Sequence, residues 1–411
     1  FNFKNKFKKF AISFFSYFAY VWKKKNEIFI INCYLGFINE IILQFKVNRL
    51  LKINTSYENK YKYTHKLDKK IRDLILKKNK GDDKFITLIK EIIIKNIPLA
   101  YIEEYKSINQ FNQKLPWPTN PRKILTSVNN VYDDPFKVWL ADKKEKGAEL
   151  IYTQHGGKFL LKSNCQDYYL SRTCQKIVVW GKRQIVDKNF YFALFNIKSS
   201  GKEFKIKKNS FILIPQEFPR IYVTTLSQAL HFNDYKNYIN KQNNFLNNLD
   251  QKNYAKIIIR FGAIAEQYSG VSFLEYEKKT WLKLHQNITY ENRDNPVAKT
   301  IERSYLTIIT NINATLLLEC LSSNIPFLIL TSNYKHMIRK NCWKDFEIFE
   351  LNNILFCDPA KLAKFINTNN AEDILKWWYS KKIQSIIKKF QKNYAAVNHQ
   401  PTNTLKNFLN N

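Results

Sequence analysis

Residues 149–157 read Glu-Leu-Ile-Tyr-Thr-Gln-His-Gly-Gly, a short apolar run followed at once by an amide, an imidazole and two glycines. Leu150, Ile151 and Tyr152 predict a buried strand, and the glycines predict its end. In an open α/β sheet, ligands gather beyond the carboxyl ends of the strands. Gln154 and His155 fall at such an end. Gly156 and Gly157 carry no Cβ, so backbone N–H groups there can approach a ligand closely. The imidazole of His155 can hydrogen-bond an anion, or move a proton near neutral pH. The plainer alternative is a glycine turn whose histidine only satisfies a local hydrogen bond. The flanking residues favour the ligand reading.

A second stretch, residues 308–319, runs Ile-Ile-Thr-Asn-Ile-Asn-Ala-Thr-Leu-Leu-Leu-Glu. It predicts a buried strand, a polar turn over Asn311–Thr315 that includes Ala314, and a helix. Asn313 reads as the N-cap, with Thr315 in the first turn. First-turn N–H groups lack helical partners and sit at the positive end of the helix dipole, so a phosphate would bind there. Glu319, one turn on, can take the two hydroxyls of a ribose. An ordinary capped helix would use the same residues.

Other candidates stand at strand ends. Arg260 closes the run Lys-Ile-Ile-Ile-Arg and can clamp a phosphate or carboxylate bidentately, or pair with a structural acid. Glu217 follows Pro215-Gln216 in a similar position. Asp133 and Asp134 precede a helix beginning at Pro135. Asp134 suits its N-cap, with Pro135 in the first helical position. Either aspartate would also serve as nucleophile or general base. Carboxylates do covalent work in glycosyl transfer because they trap an oxocarbenium-like centre.

The surrounding periodicity supplies the elements that must hold these groups. Strands are expected at 27–33, 123–128, 149–152, 176–180, 210–215, 256–260, 305–310 and 326–330. Helices are expected at 36–45, 135–146, 226–249, 273–286 and 315–322, and from Glu372 onward. Residues 52–95 read as lysine-rich helices or an insertion with no evident chemistry. The polar, basic run 202–209 reads as a linker, after which the α/β alternation restarts. Two doubly wound, Rossmann-like domains facing a cleft are the economical architecture, with right-handed strand–helix–strand crossovers.

The chain has 411 residues and a formal net charge of +33, which attracts anions such as nucleic acid, acidic lipid headgroups or phosphorylated substrates. The abundance of Lys, Asn, Ile and Phe equally fits compositional drift. Lysines are spread along the chain, with no RNA-recognition or zinc-finger signature, so no nucleic-acid partner is expected. The six cysteines form no C-x-x-C pair and fit buried, reduced thiols of a cytosolic protein. No His or carboxylate spacing suggests a metal, and no cofactor is expected. Phe10–Trp22 is apolar, too short to span a bilayer, and flanked by lysines. It predicts an amphipathic helix, either packed on the protein or resting on a membrane surface. The chain opens at Phe1 without Met, as an excised segment would.

The succession TSVNNVYDDPFKVWLADKKEKGAELIYTQHGGKF, then KIIIRFG, then TNINATLLLECLSSNIPFLIL, resembles bacterial cell-surface polysaccharide transferases that carry a QHGG turn. The resemblance covers roughly residues 120–335. It implies a GT-B fold of two Rossmann-like domains and a place near the transferases of Kdo, an acidic sugar donated from CMP-Kdo. It implies an acceptor-side domain over 1–205, a nucleotide-sugar domain over 206–385 and a helical tail over 386–411. On the matching positions, Gln154, His155, Gly156 and Gly157 form the QHGG turn and Arg260 the strand-end arginine. Asn313, Thr315 and Glu319 form the nucleotide side. It implies a saccharide or lipid-linked acceptor and attachment to the inner face of the cytoplasmic membrane. Lys158-Phe159 departs from the family pattern of a third glycine and a tyrosine, which leaves the sugar open. A CDP-glycerol-dependent glycerophosphotransferase and a basic nucleic-acid- or lipid-binding protein are the competing readings.

Overall fold

A computed structural model gives the fold. It describes residues 28–48, 54, 56–57, 60–78, 83–157, 165–185, 187, 190–195, 197, 210–215, 232–260, 281–291, 297–312 and 314–411. The expected elements at Phe10–Trp22 and 202–209, together with Glu217 and Asn313, lie outside the described residues.

Two parallel sheets carry the structure. The first contains β1 (Ile28–Ile31), β2 (Lys123–Thr126), β3 (Glu149–Thr153), β4 (Lys176–Val179) and β5 (Tyr191–Ala193), in the order β1-β2-β3-β4-β5. The second contains β6 (Ser210–Ile214), β7 (Ile257–Ile259), β8 (Thr289–Tyr290), β9 (Ser304–Ile309), β10 (Phe327–Leu330) and β11 (Leu355–Phe356). Its order is β8-β7-β6-β9-β10-β11, which winds outward in both directions from the β6–β9 pair. That is the doubly wound Rossmann order. The described strands of the first sheet run in sequence without such a reversal.

Strands buried on both faces read as continuous apolar runs, and helices must cover each face. Side chains alternate across the second sheet. Ile309, Phe327, Ile329 and Leu355 join one core with Leu317, Leu321, Phe346, Phe349, Phe390 and Trp180. Ile308, Leu328, Leu330 and Phe356 join another with Phe245, Leu246, Trp281, Leu362 and Ile366. The helices supplying these cores are α7 (Phe232–Asn247), α8 (Thr315–Ser322), α9 (Trp343–Leu351), α10 (Pro359–Thr368), α11 (Ala371–Trp378) and α12 (Lys381–Tyr394).

Before them come α1 (Phe37–Asn48), α2 (Lys69–Lys78), α3 (Lys84–Asn96), α4 (Tyr105–Gln113), α5 (Asp134–Glu145) and α6 (Cys165–Thr173); α13 (Pro401–Asn410) comes last. Against the first sheet, Phe29, Trp117, Phe136 and Trp139 pack with ring centroids 5.0–6.1 Å apart.

The two sheets divide between Ala193 and Ser210, while the compact units divide the chain differently. One comprises residues 1–153, 174–176 and 400–411, the other 154–173 and 177–399. The reason is packing within each unit. In the second, Trp180 is fully buried among Ile309, Leu317 and Phe390. Its carbonyl accepts from the Ala396 N–H at 2.9 Å. A Cβ at the neighbouring Gly181 would stand 1.9 Å from the Asn393 carbonyl oxygen. The segment expected as a single tail over 386–411 divides at Pro401. Residues up to Tyr394 complete α12, whereas α13 packs on α1 in the first unit. There the Lys123 ammonium donates to the Leu409 carbonyl at 2.7 Å, and Lys46 to Thr402 Oγ1 at 3.0 Å.

Candidate functional site

In a doubly wound sheet the connections leave the central pair in opposite directions, opening a crevice at the carboxyl ends of those two strands. Here that pair is β6 and β9. Thr310, just past β9, donates through Oγ1 to the Ile214 carbonyl at 3.1 Å and shares a 2.6 Å hydrogen bond with the Tyr238 hydroxyl. This pairing fixes the floor of the crevice. Asn311 is buried beside it, and its carbonyl accepts from the Ala314 N–H at 3.1 Å.

The helix that follows, α8, starts at Thr315. Its N-cap is Ala314, extended at φ −69° and ψ 139°, whose own side chain makes no capping hydrogen bond. This corrects the expectation that Asn313 is the cap; the chain turns into the helix one residue later. An alanine has no oxygen to offer the first-turn N–H groups. Glu319 is half-buried one turn further along.

The QHGG turn meets this helix start. A Cβ at Gly156 would stand 2.7 Å from Thr315 Oγ1, closer than real Cβ contacts come. A side chain at position 156 would force either Thr315 or the turn backbone to move. Gln154 is fully buried and acts on the turn itself. Its Nε2 donates to the Gly156 carbonyl at 2.7 Å, its Oε1 accepts from the Trp180 N–H at 2.8 Å, and its own N–H bonds the Val178 carbonyl at 2.8 Å. The amide is therefore a staple that shapes the turn. His155 is half-buried and Gly157 buried.

Arg260 follows β7, with its N–H on the Leu213 carbonyl at 3.0 Å. It is 5% exposed. Burial lowers its pKa from the ordinary value, and the charge of Glu291 opposes that. Glu291 also pairs with Arg303 at 2.7 Å. The arginine thus stands at a strand end near an acid that a second cation shares.

The two aspartates belong to the first unit. Asp133, not Asp134, caps α5, and Pro135 is the second helical residue. The correction follows from the backbone: Asp133 is extended, and its carboxylate accepts from the Phe136 N–H at 2.9 Å. It also accepts from Asn129 Nδ2 at 2.9 Å and Ser56 Oγ at 2.5 Å. Burial raises its pKa despite these donors. Asp134 accepts from the Tyr101 hydroxyl at 2.7 Å, Lys137 Nζ at 2.8 Å and the Tyr63 hydroxyl at 3.3 Å. Burial works against its ionisation, but Lys137 and Tyr101 outweigh it and its pKa falls below the ordinary value. Each carboxylate thus accepts from three donors.

Tyr238 is the residue that sequence reading passes over. It lies in a polar helix, and no local pattern marks it as the partner of Thr310. Among the described residues, no three His, Cys, Asp or Glu side chains cluster as metal ligands.

Two parallel α/β units, one with the Rossmann order and a helix start at its switch point, make up the domain composition of the GT-B fold. Residues 2–409 match the LIC12162 family transferase model, and the chain belongs to that family. No curated protein sequence matches it. Among solved structures it is similar to HepE from Anabaena in complex with UDP-glucose, at 10% identity over 89% of this chain and 98% of that one, with a TM-score of 0.40. It is also similar to an O-GlcNAc transferase of Thermobaculum terrenum, at 7% identity over 94% and 67%, with a TM-score of 0.43. A third is WaaG, a glycosyltransferase involved in lipopolysaccharide biosynthesis, at 9% identity over 70% and 94%, with a TM-score of 0.33.

Proposed function

We propose that this transferase is a glycosyltransferase that holds a nucleotide-activated sugar at the start of α8. The observation that carries the reading is Gly156 lying against Thr315 at the switch point of the second sheet. An uncapped helix start offers N–H groups and a positive dipole end to a phosphate without needing a metal. The glycine turn adds backbone groups beside it, and His155 adds an imidazole. Glu319 takes the ribose hydroxyls. Arg260 neutralises the charge that develops on the departing phosphate.

The donor proposed is a CMP-activated acidic sugar, Kdo first, on the strength of the QHGG resemblance. Its acceptor is a saccharide of a surface polysaccharide, reached at an anionic membrane on its cytoplasmic side. If configuration is retained by double displacement, a carboxylate must attack the sugar. Asp133 and Asp134 would first have to shed the donors described above.

The test is turnover with CMP-Kdo, CMP-sialic acid, CDP-glycerol and UDP-glucose, together with CMP calorimetry. Glu319→Ala should weaken CMP binding by about 1–3 kcal/mol, as for a lost hydrogen bond to a charged group. Turnover of CDP-glycerol alone would replace the sugar donor with a glycerophosphate donor. Unchanged CMP affinity would remove Glu319 from the site.

A further inference from the structure

Among the described helices, α3 carries the longest run of exposed large apolar side chains. Phe85 is 68% exposed and Ile93 53%, with Ile86, Leu88, Ile89 and Ile92 exposed between them. At about 100° per residue these six side chains fill an arc of roughly 160°. Ile94, on the opposite side, is buried. Lys84 and Lys95 border one edge of the arc and Lys90 the other. A helix of a water-facing domain turns its apolar arc inward; this one turns it outward.

The orientation is enforced. Arg72 of α2 is 3% exposed. Its Nη1 donates to the carbonyls of Ile94 and Lys95 at 2.8 and 3.1 Å, closing the end of α3. Its Nη2 donates to the Ile97 carbonyl and to Glu103, both at 2.8 Å, and Nε donates to Glu103 at 2.7 Å. Every guanidinium donor is used, so the α2–α3 hairpin is held by a buried ion pair. Ile71 and Leu74 of α2 are also exposed.

We propose that α3 is a membrane-docking helix that lies in the interface of an anionic bilayer, its apolar arc among the acyl chains and its lysines at the headgroups. The lysine border and the net charge of +33 select an anionic lipid surface as the occupant. At 13 residues the helix is about 20 Å long, too short to span a hydrocarbon core of about 30 Å. No helix among the described residues is long and apolar enough to cross a membrane. The proposal deepens the membrane attachment proposed above and rests on it.

The experiment is flotation of the full chain with vesicles of phosphatidylcholine containing about 30% phosphatidylglycerol, for wild type and Ile89→Glu/Ile93→Glu. The expected result is that wild type floats and the double variant binds at least about tenfold more weakly, with an unchanged melting temperature. Lys84→Gln and Lys90→Gln should each cost about fivefold, and added salt should weaken wild type. Equal flotation of wild type and the double variant would overturn the role of α3 while leaving membrane attachment by another segment. No flotation of either would overturn both. A lower melting temperature of the double variant without vesicles would show that the face is covered by this chain's own residues. Loss of a wild-type dimer on light scattering would show a second copy there. Either result overturns the proposal.

Discussion

The helices Asp134–Glu145 and Thr315–Ser322 both begin shortly beyond the carboxyl end of a buried parallel strand, yet their first turns are built in opposite ways. The first is closed by Asp133, which accepts from a first-turn N–H, an asparagine and a serine. The second is led by Ala314, which has nothing to donate or accept through its side chain. A glycine turn lies against it instead. A capped start has its backbone donors answered from within the chain. An uncapped start leaves them for something else, at the cost of the stability a cap confers. The comparison separates a helix start used for the fold from one available to a ligand.

The largest expected effect breaks the second start. Gly156→Ala sets a Cβ against Thr315 Oγ1, so Thr315 must rotate or the turn and the helix must part. Donor turnover should fall by about a hundredfold or more, as for an ångström of misplacement at a reacting centre. Thr315→Ala in the same chain removes the opposing hydroxyl, and the double variant should regain part of the lost turnover. A single variant with wild-type turnover would show that the close approach is incidental.

Breaking the first start should cost stability rather than binding. Asp133→Ala removes a cap and leaves buried donors of Asn129 and Ser56 unanswered, about 2–4 kcal/mol together. Denaturant unfolding would measure this, with CMP affinity expected to stay at the wild-type value. A weakened nucleotide site in that variant would end the separation of roles.

Ala314→Asp makes the second start like the first. Its extended backbone suits a cap, so a gain of about 0.5–1 kcal/mol is expected. The new carboxylate would occupy the N–H groups and repel a phosphate, so CMP binding should weaken as stability rises. Binding and stability rising together would contradict the reading of α8 as a ligand-holding helix.

The smallest effect is one of pH. Burial raises the folded pKa of Asp133 above its ordinary value of 3.8. The folded state therefore holds this proton more tightly than the unfolded chain does. Stability should decline as pH rises from 3.8 through the folded value, and stay level below 3.8 where both states are protonated. Asp133→Asn should flatten that decline in a series of unfolding curves. An unchanged slope would assign it to another group.

The same two starts show what the sequence makes legible. Runs such as Ile-Val-Val and Ile-Ile-Ile mark buried parallel strands directly, because both faces of such strands are apolar. The caps were each displaced by one residue. Asp133 and Asp134 have identical side chains, and only backbone geometry decides which one bonds Phe136. The glycines of the QHGG turn read as a place for a ligand to approach; that Gly156 lies against Thr315 is in no local pattern, because Thr315 lies far along the chain. Strands such as Thr289–Tyr290 and Leu355–Phe356 are too short to show a period. The exposed arc of α3 is not legible in the lysine-rich run 52–95, because only the folded chain shows which way its apolar side chains face.

The packing of Pro401–Asn410 on Phe37–Asn48 sets an order of events during synthesis. A chain emerging from the ribosome has its first sheet strands, Ile28–Ile31 and Lys123–Thr126, long before it has the helix that covers α1. Lys123 waits for the Leu409 carbonyl, 286 residues further along the chain. Contacts of such separation form late because the loop they close is large. The unit that holds β1 is thus completed only after the residues of the second unit have been made, and its apolar face around α1 stays uncovered until Pro401–Asn410 arrives. Newly made chains should draw on chaperones during that interval.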